Sequence, residues 1–446
     1  PEPAAGDGGG ADAQRLPEGA EDYEQLAARA AALAASVDLF VVAEQGYVGV
    51  EALRPLVSAT GGTLIYYSGL DTSALPQDLF RIFSRPIASR ALLRLRCSAG
   101  FQVARAYGHL TADEQYVNLY HISSCHSESC FAADLEFDNP SGVMTNLDVQ
   151  PTMQLAFAYS CIVPVPDSSA YQVQRRLRIE TVRADVGRLA QDLFASADVD
   201  VVVTLLAHKI IRALAVEGLH EARMLLQDWL VMLAARYNEH LMRRREMQLD
   251  VTFAKFASLG PLPRIVFGML RGRLLDPVAA SRDDRAFAAH LCTSLAPDAL
   301  SLLFYPRLSV FPDVKTRAPE ETGLALSQTS IAKRDSAVFV LDAYTDMVVF
   351  YTKGAAATNP FPPPPDCALR RYLQETKDER AVCPHVAHCS DADQTAHDFL
   401  ARLFEDDSSG GLGGPADVRG GWATAGAGGY GRFIEILRTE VAELLE

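Results

Sequence analysis

No apolar run in this 446-residue chain approaches the roughly 18 residues that a membrane-spanning helix needs, so no such helix is expected. Cysteine is sparse: eight are scattered without the density of a disulfide scaffold, which fits a reducing compartment. The opening PEPAAGDGGGADAQ lacks the basic and apolar regions of a secretory signal, and residues 1–20 read as a disordered tail. Basic residues are outnumbered, 41 Lys and Arg against 56 Asp and Glu, for a net charge of −15. That balance argues against nucleic-acid binding by the whole surface, although a local basic face could meet acidic lipid headgroups or acidic peptides. Enzyme signatures are missing too: no serine-hydrolase elbow, phosphate loop or paired-carboxylate pattern stands out. Gly426-Ala-Gly428-Gly-Tyr-Gly431 has the glycine spacing of a dinucleotide site, but a flexible segment precedes it and no acidic residue follows at the required distance. What remains is a cytosolic protein of about three or more domains and no evident catalysis. Its 49% hydrophobic and 22% charged residues are those of a soluble globular chain.

Taken in order, Glu21–Ser36 is alanine-rich and predicts a helix, and Val37–Ala43 is a short apolar run of the kind found in buried parallel strands. Val48–Ala59 repeats apolar residues at helical spacing and should stop at Gly61-Gly62. Thr63–Tyr67 predicts a strand and Leu75–Phe83 a helix. This alternation belongs to a doubly wound sheet, yet two strands cannot stabilise one, so residues 21–88 are expected to be the later part of an α/β domain. Residues 89–183 are strand-rich, with Gln115–His121, Ala132–Phe137, Thr152–Val163 and Tyr171–Val182 after an opening hairpin, and suggest a β-sandwich or barrel. The period turns helical over 184–308, where Leu219, Ala222, Leu226, Trp229, Leu233 and Tyr237 form one stripe, with further helices near Val251–Leu275 and Asp283–Leu295. Ala337–Asp342 and Met347–Thr352 form a second hairpin within 309–429, a unit with helices at Cys367–Glu375 and Asp391–Phe404. Pro362–Pro365 marks an exposed loop, and Ser408–Tyr430 is glycine-rich. A last amphipathic helix over 430–446 must dock on something and is expected to join the helical domain.

Leu92–Leu110 (LLRLRCSAGFQVARAYGHL) alternates, breaks at Ser98-Ala99-Gly100 and alternates again, which reads as strand, turn, strand. Period two puts Leu93, Leu95 and Cys97 on one face and Arg94 and Arg96 on the other. From Arg85 to Leu110 there are five arginines and no carboxylate. Two guanidinium groups two residues apart suit a peptide carboxylate, and the same pattern suits a solvated edge of a β-domain. Cys125-His126…Cys130 and Cys383-Pro-His385-Val-Ala-His388-Cys389 are Cys/His clusters, each short of a complete zinc set, and read as chance neighbours on loops.

Several stretches together resemble the inner-layer family of the COPII vesicle coat, and its cargo-adaptor branch in particular. SVDLFVV and VSATGGTLIYY (Ser36–Val42, Val57–Tyr67) resemble the second half of the family's von Willebrand A-like trunk. ALLRLRCSAGFQV, MQLAFAYS and QRRLRI resemble its β-sandwich, DDRAFAAHLCTSL with FYPRL the end of its helical domain, FVLDAYTDMVVFYTKG its gelsolin-like hairpin, and YGRFIEIL its final helix. The resemblance implies a multidomain α+β chain: a partial α/β trunk, a β-sandwich, an all-helical domain and a gelsolin-like α+β domain. It implies a heterodimer with the GTPase-activating coat subunit, contact with the coat's small GTPase, and peripheral placement on acidic endoplasmic reticulum membranes. In the family an arginine pair binds acidic export motifs of cargo, and the matching positions are Arg94 and Arg96. An apolar residue lining that site falls at Ala158, where leucine is familiar, so a shallower pocket is expected. No cofactor or metal is implied for this chain, since the family's four-cysteine zinc finger would lie in the missing N-terminal region. FYPRL and RLRCSAG tilt the resemblance to the adaptor. The alternatives are the paralogous GTPase-activating subunit, which works by supplying an arginine, and a gelsolin-like actin-binding protein.

Overall fold

The computed structural model describes residues 20–44, 46–70, 74–139, 150–241, 249–278, 280–316, 318–391, 396–400, 402–405 and 429–446. The expected tail except Ala20, which begins the first helix, and nearly all of the glycine-rich stretch fall outside them. The chain opens with α1 (Ala20–Ala32), β1 (Leu39–Val42), α2 (Val50–Thr60), β2 (Leu64–Tyr67) and α3 (Leu75–Ser84). β1 and β2 are parallel, in register Leu39 with Leu64. Two strands are stable here because they dock on the helical block. Asp283 accepts backbone N–H bonds from Val48 at 2.6 Å, Gly49 at 3.1 Å and Val50 at 2.7 Å, which caps α2 from outside its own sequence. α2 stops at Gly61, whose φ of 67° is left-handed. A Cβ there would also lie 1.9 Å from the Ser124 carbonyl oxygen, so the residue lets the trunk segment press on the sandwich.

Next come β3 (Ile87–Cys97), β4 (Phe101–Tyr107), β5 (Thr111–Ala112), β6 (Leu119–His126), β7 (Ala132–Phe137), β8 (Thr152–Pro164) and β9 (Tyr171–Arg183). They form a five-stranded sheet in the order β5-β6-β3-β8-β9 and a two-stranded sheet β4-β7. The opening hairpin is therefore corrected. β3 and β4 are joined by a tight turn but lie in different sheets, β3 pairing with β6 and β8 and β4 with β7. The local pattern is the same either way, because alternation reports a buried face and not the partner strand. Crossing between sheets brings Val103 and Ala106 of β4 against Ala91, Leu93 and Leu95 of β3 in one core.

The helical block contains α4 (Ala190–Ser196), α5 (Val199–Val216), α6 (Leu219–Leu241), α7 (Leu262–Arg271), α8 (Arg282–Ser294) and α9 (Pro297–Phe304). On α6 the buried line runs Ala222, Leu226, Leu230, Ala234 and Tyr237, with Trp229 and Leu233 half-buried beside it. The C-terminal unit has β10 (Arg307–Phe311), β11 (Glu321–Leu324), α10 (Gln328–Ala332), β12 (Val338–Asp342), β13 (Asp346–Tyr351), α11 (Lys353–Thr358), α12 (Ala368–Asp378), β14 (His385–Ser390) and α13 (Ala396–Leu400). Its sheet order is β11-β10-β12-β13-β14. The β12–β13 hairpin reads as nearly continuous apolar sequence because it is buried on both faces. Phe339, Leu341, Val348 and Phe350 join the large central core, while Val338, Val340, Met347 and Val349 pack under α12 with Leu369 and Leu373. α14 (Tyr430–Leu445) returns to the helical block against α6 and α7, burying Phe433, Leu437 and Val441.

Candidate functional site

β3 sets the site by alternation. Leu93 and Leu95 are 4% and 5% exposed in the sandwich core, so the side chains between them must leave by the other face. Arg94 is half-buried and Arg96 exposed. The register then fixes their neighbours. Arg94 lies opposite Ala156 of β8 and Leu119 of β6, Arg96 opposite Gln154, and Leu92 opposite Ala158. Ala156 and Ala158 in turn face Ile179 and Leu177 of β9. Arg94, Arg96 and Ala158 thus share one face of one sheet, with Leu92, Leu177 and Ile179 as its apolar part.

Arg96 donates from Nη1 to Gln154 Oε1 at 3.0 Å, and Arg94 has no hydrogen-bond or ion-pair partner among the described residues. Neither guanidinium is neutralised by a described carboxylate of this chain. Arg175, on the same face of β9, donates to the Arg90 carbonyl at 2.6 Å and to Ser160 Oγ at 3.3 Å. Arg178 turns to the opposite face and donates to the Tyr159 hydroxyl at 3.3 Å. The arrangement is an open, basic and mildly apolar sheet surface ending in β9, all thirteen residues of which are exposed. It is suited to an extended acidic segment. With alanine at 156 and 158, the surface offers a shallow patch and no deep pocket.

The Cys/His clusters are placed differently from the loop reading. Cys125 and His126 end β6, and His385, His388 and Cys389 lie on β14, an edge strand parallel to β13. Burial pushes the Cys125 thiol up to about 11 and His126 and His388 down to about 4. Among the described residues no group of three His, Cys, Asp or Glu is placed to hold a metal ion.

Spacing along the chain gave no sign of the buried histidine seam where sandwich, trunk segment and helical block meet. His290 of α8 accepts the Leu64 N–H on Nε2 at 3.1 Å, and its Nδ1 is buried without a partner. His109 bonds Thr293 Oγ1 at 3.2 Å, and its ring centroid lies 4.9 Å from that of His290. His208 stacks on Tyr107 at 5.2 Å. A cavity of about 30 Å³ is lined by His109, His126 and His290. Burial holds His109 and His208 down to about 4 and His290 well below its usual value, so all three are neutral at pH 7.

With this geometry in hand, the comparisons with known proteins are specific. Residues 7–83 match the Sec23/Sec24 trunk domain and residues 198–302 the Sec23/Sec24 helical domain. Protein transport protein SEC23 D of Arabidopsis thaliana is 35% identical over 457 residues, covering 98% of this chain and 60% of that relative. Protein transport protein sec24 of Aspergillus terreus is 26% identical over 311 residues, covering 68% of this chain and 32% of the relative. Among solved structures, the human COPII-coat protein Sec24c superposes with a TM-score of 0.77 at 18% identity, over 95% of this chain and 55% of that one. The chain therefore spans about three-fifths of the length of SEC23 D and about half of Sec24c.

Proposed function

The chain is a homologue of the Sec23 and Sec24 coat proteins with their trunk and helical domains, and we propose that it serves a COPII-type vesicle coat on the Sec23 side of the pair. One observation carries the choice of side. Identity to SEC23 D is 35% across 98% of the chain, whereas the sec24 protein of Aspergillus terreus reaches 26% across 68%. The two stretches that tilted the sequence reading to the adaptor are structural. FYPRL closes α9 and starts β10, with Phe304 and Leu308 buried, and RLRCSAG is the crossing between the two sandwich sheets. Both serve the fold common to the two branches and do not separate them.

On this reading the chain pairs with an adaptor subunit, meets the small coat GTPase, and stimulates that enzyme by placing an arginine against its transferring phosphate. It is a coat component whose catalytic contribution is made in another protein's active site. No helix among the described residues is long and apolar enough to cross a membrane, and attachment to the endoplasmic reticulum is peripheral. The test is GTP hydrolysis by the cognate GTPase with and without the chain. The proposal expects acceleration on the order of 10³-fold, the lower range for a supplied arginine.

A second reading is supported by the open face of β3. As an adaptor, the chain would hold an acidic export motif in extended form, with Arg94 and Arg96 on its carboxylates and Ala158 beneath an apolar side chain. Changing both arginines to Ala should then abolish binding of acidic export peptides while leaving GTP hydrolysis untouched.

A further inference from the structure

A cleft of about 200 Å³ opens where α1, α2, α5 and α8 meet, apart from the β3 face and from the histidine seam's cavity. Its lining includes Arg54, Arg282 and Arg285, with Glu24 and Glu51, so three cations stand against two carboxylates. Arg54 is half-buried, and burial pulls its pKa down. Among the described residues its guanidinium nevertheless has no hydrogen-bond or ion-pair partner. Arg285 donates from Nη2 to the Asp276 carbonyl at 3.1 Å, while its Nε is buried with no partner. Desolvation lowers its pKa as well. Glu51 acts on both guanidinium groups through space, but it forms no ion pair with either.

Holding a guanidinium donor out of water without an acceptor is costly, as at Arg285 Nε, and the half-buried Arg54 guanidinium, unpaired among the described residues, lines the same cavity. The first turns of α2 and α8 border it, through Glu51 on one and Arg282 and Arg285 on the other, but Asp283 and the Ser281–Asp284 capping box already take up their end N–H groups, so the positive potential comes from the arginines. Ile211 and Leu214 give the cleft an apolar side as well. A volume of 200 Å³ is smaller than the usual drug-sized pocket of about 300 Å³ or more, which limits the occupant to an anionic group on a compact organic body. Two arginine forks match the three equivalent oxygens of a dianionic phosphate better than a single carboxylate, which one fork would satisfy.

We propose that this cleft binds a phosphate monoester, with Arg54 and Arg285 donating to the phosphate and the organic part lying along Ile211 and Leu214. Arg282, exposed at the rim, screens the approaching charge. Lipid headgroups and soluble sugar or inositol phosphates share this chemistry.

The test is calorimetric titration of the full chain with inorganic phosphate at constant ionic strength, using chloride as the control. Two charge-assisted forks should give a dissociation constant on the order of 1 mM or tighter. Arg54→Gln and Arg285→Gln should each weaken it at least about tenfold, and Glu51→Gln, which removes a competing carboxylate, should tighten it. Glu51→Gln keeps the question open to measurement even if Arg54→Gln fails to fold. Binding to vesicles containing phosphatidylinositol 4-phosphate that is lost in Arg54→Gln assigns the site to a lipid. Binding of soluble inositol monophosphate with no vesicle binding assigns it to a metabolite. No heat at 10 mM phosphate overturns the proposal, as does equal binding by wild type and Arg54→Gln. Weaker phosphate binding in Glu51→Gln would also overturn it.

Discussion

Acidification should weaken this chain through its histidine seam, well before carboxylates titrate. A histidine free in the unfolded chain takes a proton near pH 6.5. In the folded chain His109, His126 and His208 wait until about pH 4, because burial opposes their charged forms, and His290 waits longer. His290 cannot be protonated on Nε2 without losing the Leu64 N–H, and a charged His109 would sit against it. Nearby Arg54 and Arg85 act in the same direction, and Asp134 beside His208 acts against it. The sign follows from linkage. Above pH 6.5 both states are neutral and stability is full. Between about 6.5 and 4 the unfolded state alone gains protons, so each histidine removes about 1.4 kcal/mol per pH unit, and below that window the loss levels off. The four seam histidines and His388, also held down to about 4, should therefore cost about 5–7 kcal/mol on moving from pH 7.5 to 5.5, a large part of the roughly 5–15 kcal/mol typical of a folded protein. Urea unfolding at pH 7.5, 6.5 and 5.5 measures this. Asp78 and Glu128, whose carboxyls burial pushes up, give the opposite slope, but nearer the carboxylate range. A His109→Gln, His290→Gln double variant should be less stable at pH 7.5 yet lose about two-fifths of the pH dependence. Stability constant to within about 1 kcal/mol across the range, or a slope indifferent to the double variant, would refute the argument.

Other perturbations have definite expectations. Asp283→Ala strips three backbone N–H groups of their acceptor and should cost about 3–5 kcal/mol in denaturant unfolding, with Asp283→Asn costing less. Arg380→Ala leaves Asp342 buried without its ion-pair partner and removes the donor to the Tyr344 carbonyl, so a loss of about 3–5 kcal/mol is expected. Arg94→Ala with Arg96→Ala should change unfolding free energy by less than about 1 kcal/mol, since neither residue is ion-paired to a described carboxylate of this chain.

The elements that the sequence reveals best are those whose burial repeats at one period. The β12–β13 hairpin, β7 and α8 lie within a residue or two of their expected limits, because a strand buried on both faces or a capped helix writes its pattern locally. α6 is legible as a helix, but its buried line passes through Leu230 and Ala234 rather than Trp229 and Leu233, since large side chains at a stripe's edge reach the core without being enclosed. β14 escapes notice because CPHVAHC shows no alternation and is an edge strand held by β13. α7 occupies only Leu262–Arg271 of the longer helical stretch expected, where Gly260 and Pro261 break the run. The alternation of Arg94 and Arg96 with Leu93 and Leu95 was readable from spacing, and so was their common face. Their neighbours Ile179 and Leu177 follow only from the β8–β9 register. The histidine seam and the Arg54 cleft unite side chains from distant elements, and no spacing along the chain encodes such meetings.

The most direct measurement of the functional account is single-turnover GTP hydrolysis by the cognate coat GTPase on liposomes, with this chain added at increasing concentration. A saturable acceleration on the order of 10³-fold, retained in full by the Arg94→Ala, Arg96→Ala variant, is the expected result. An unchanged hydrolysis rate at saturating chain, together with acidic-peptide binding that the same variant loses, would contradict it and place the chain with the adaptors.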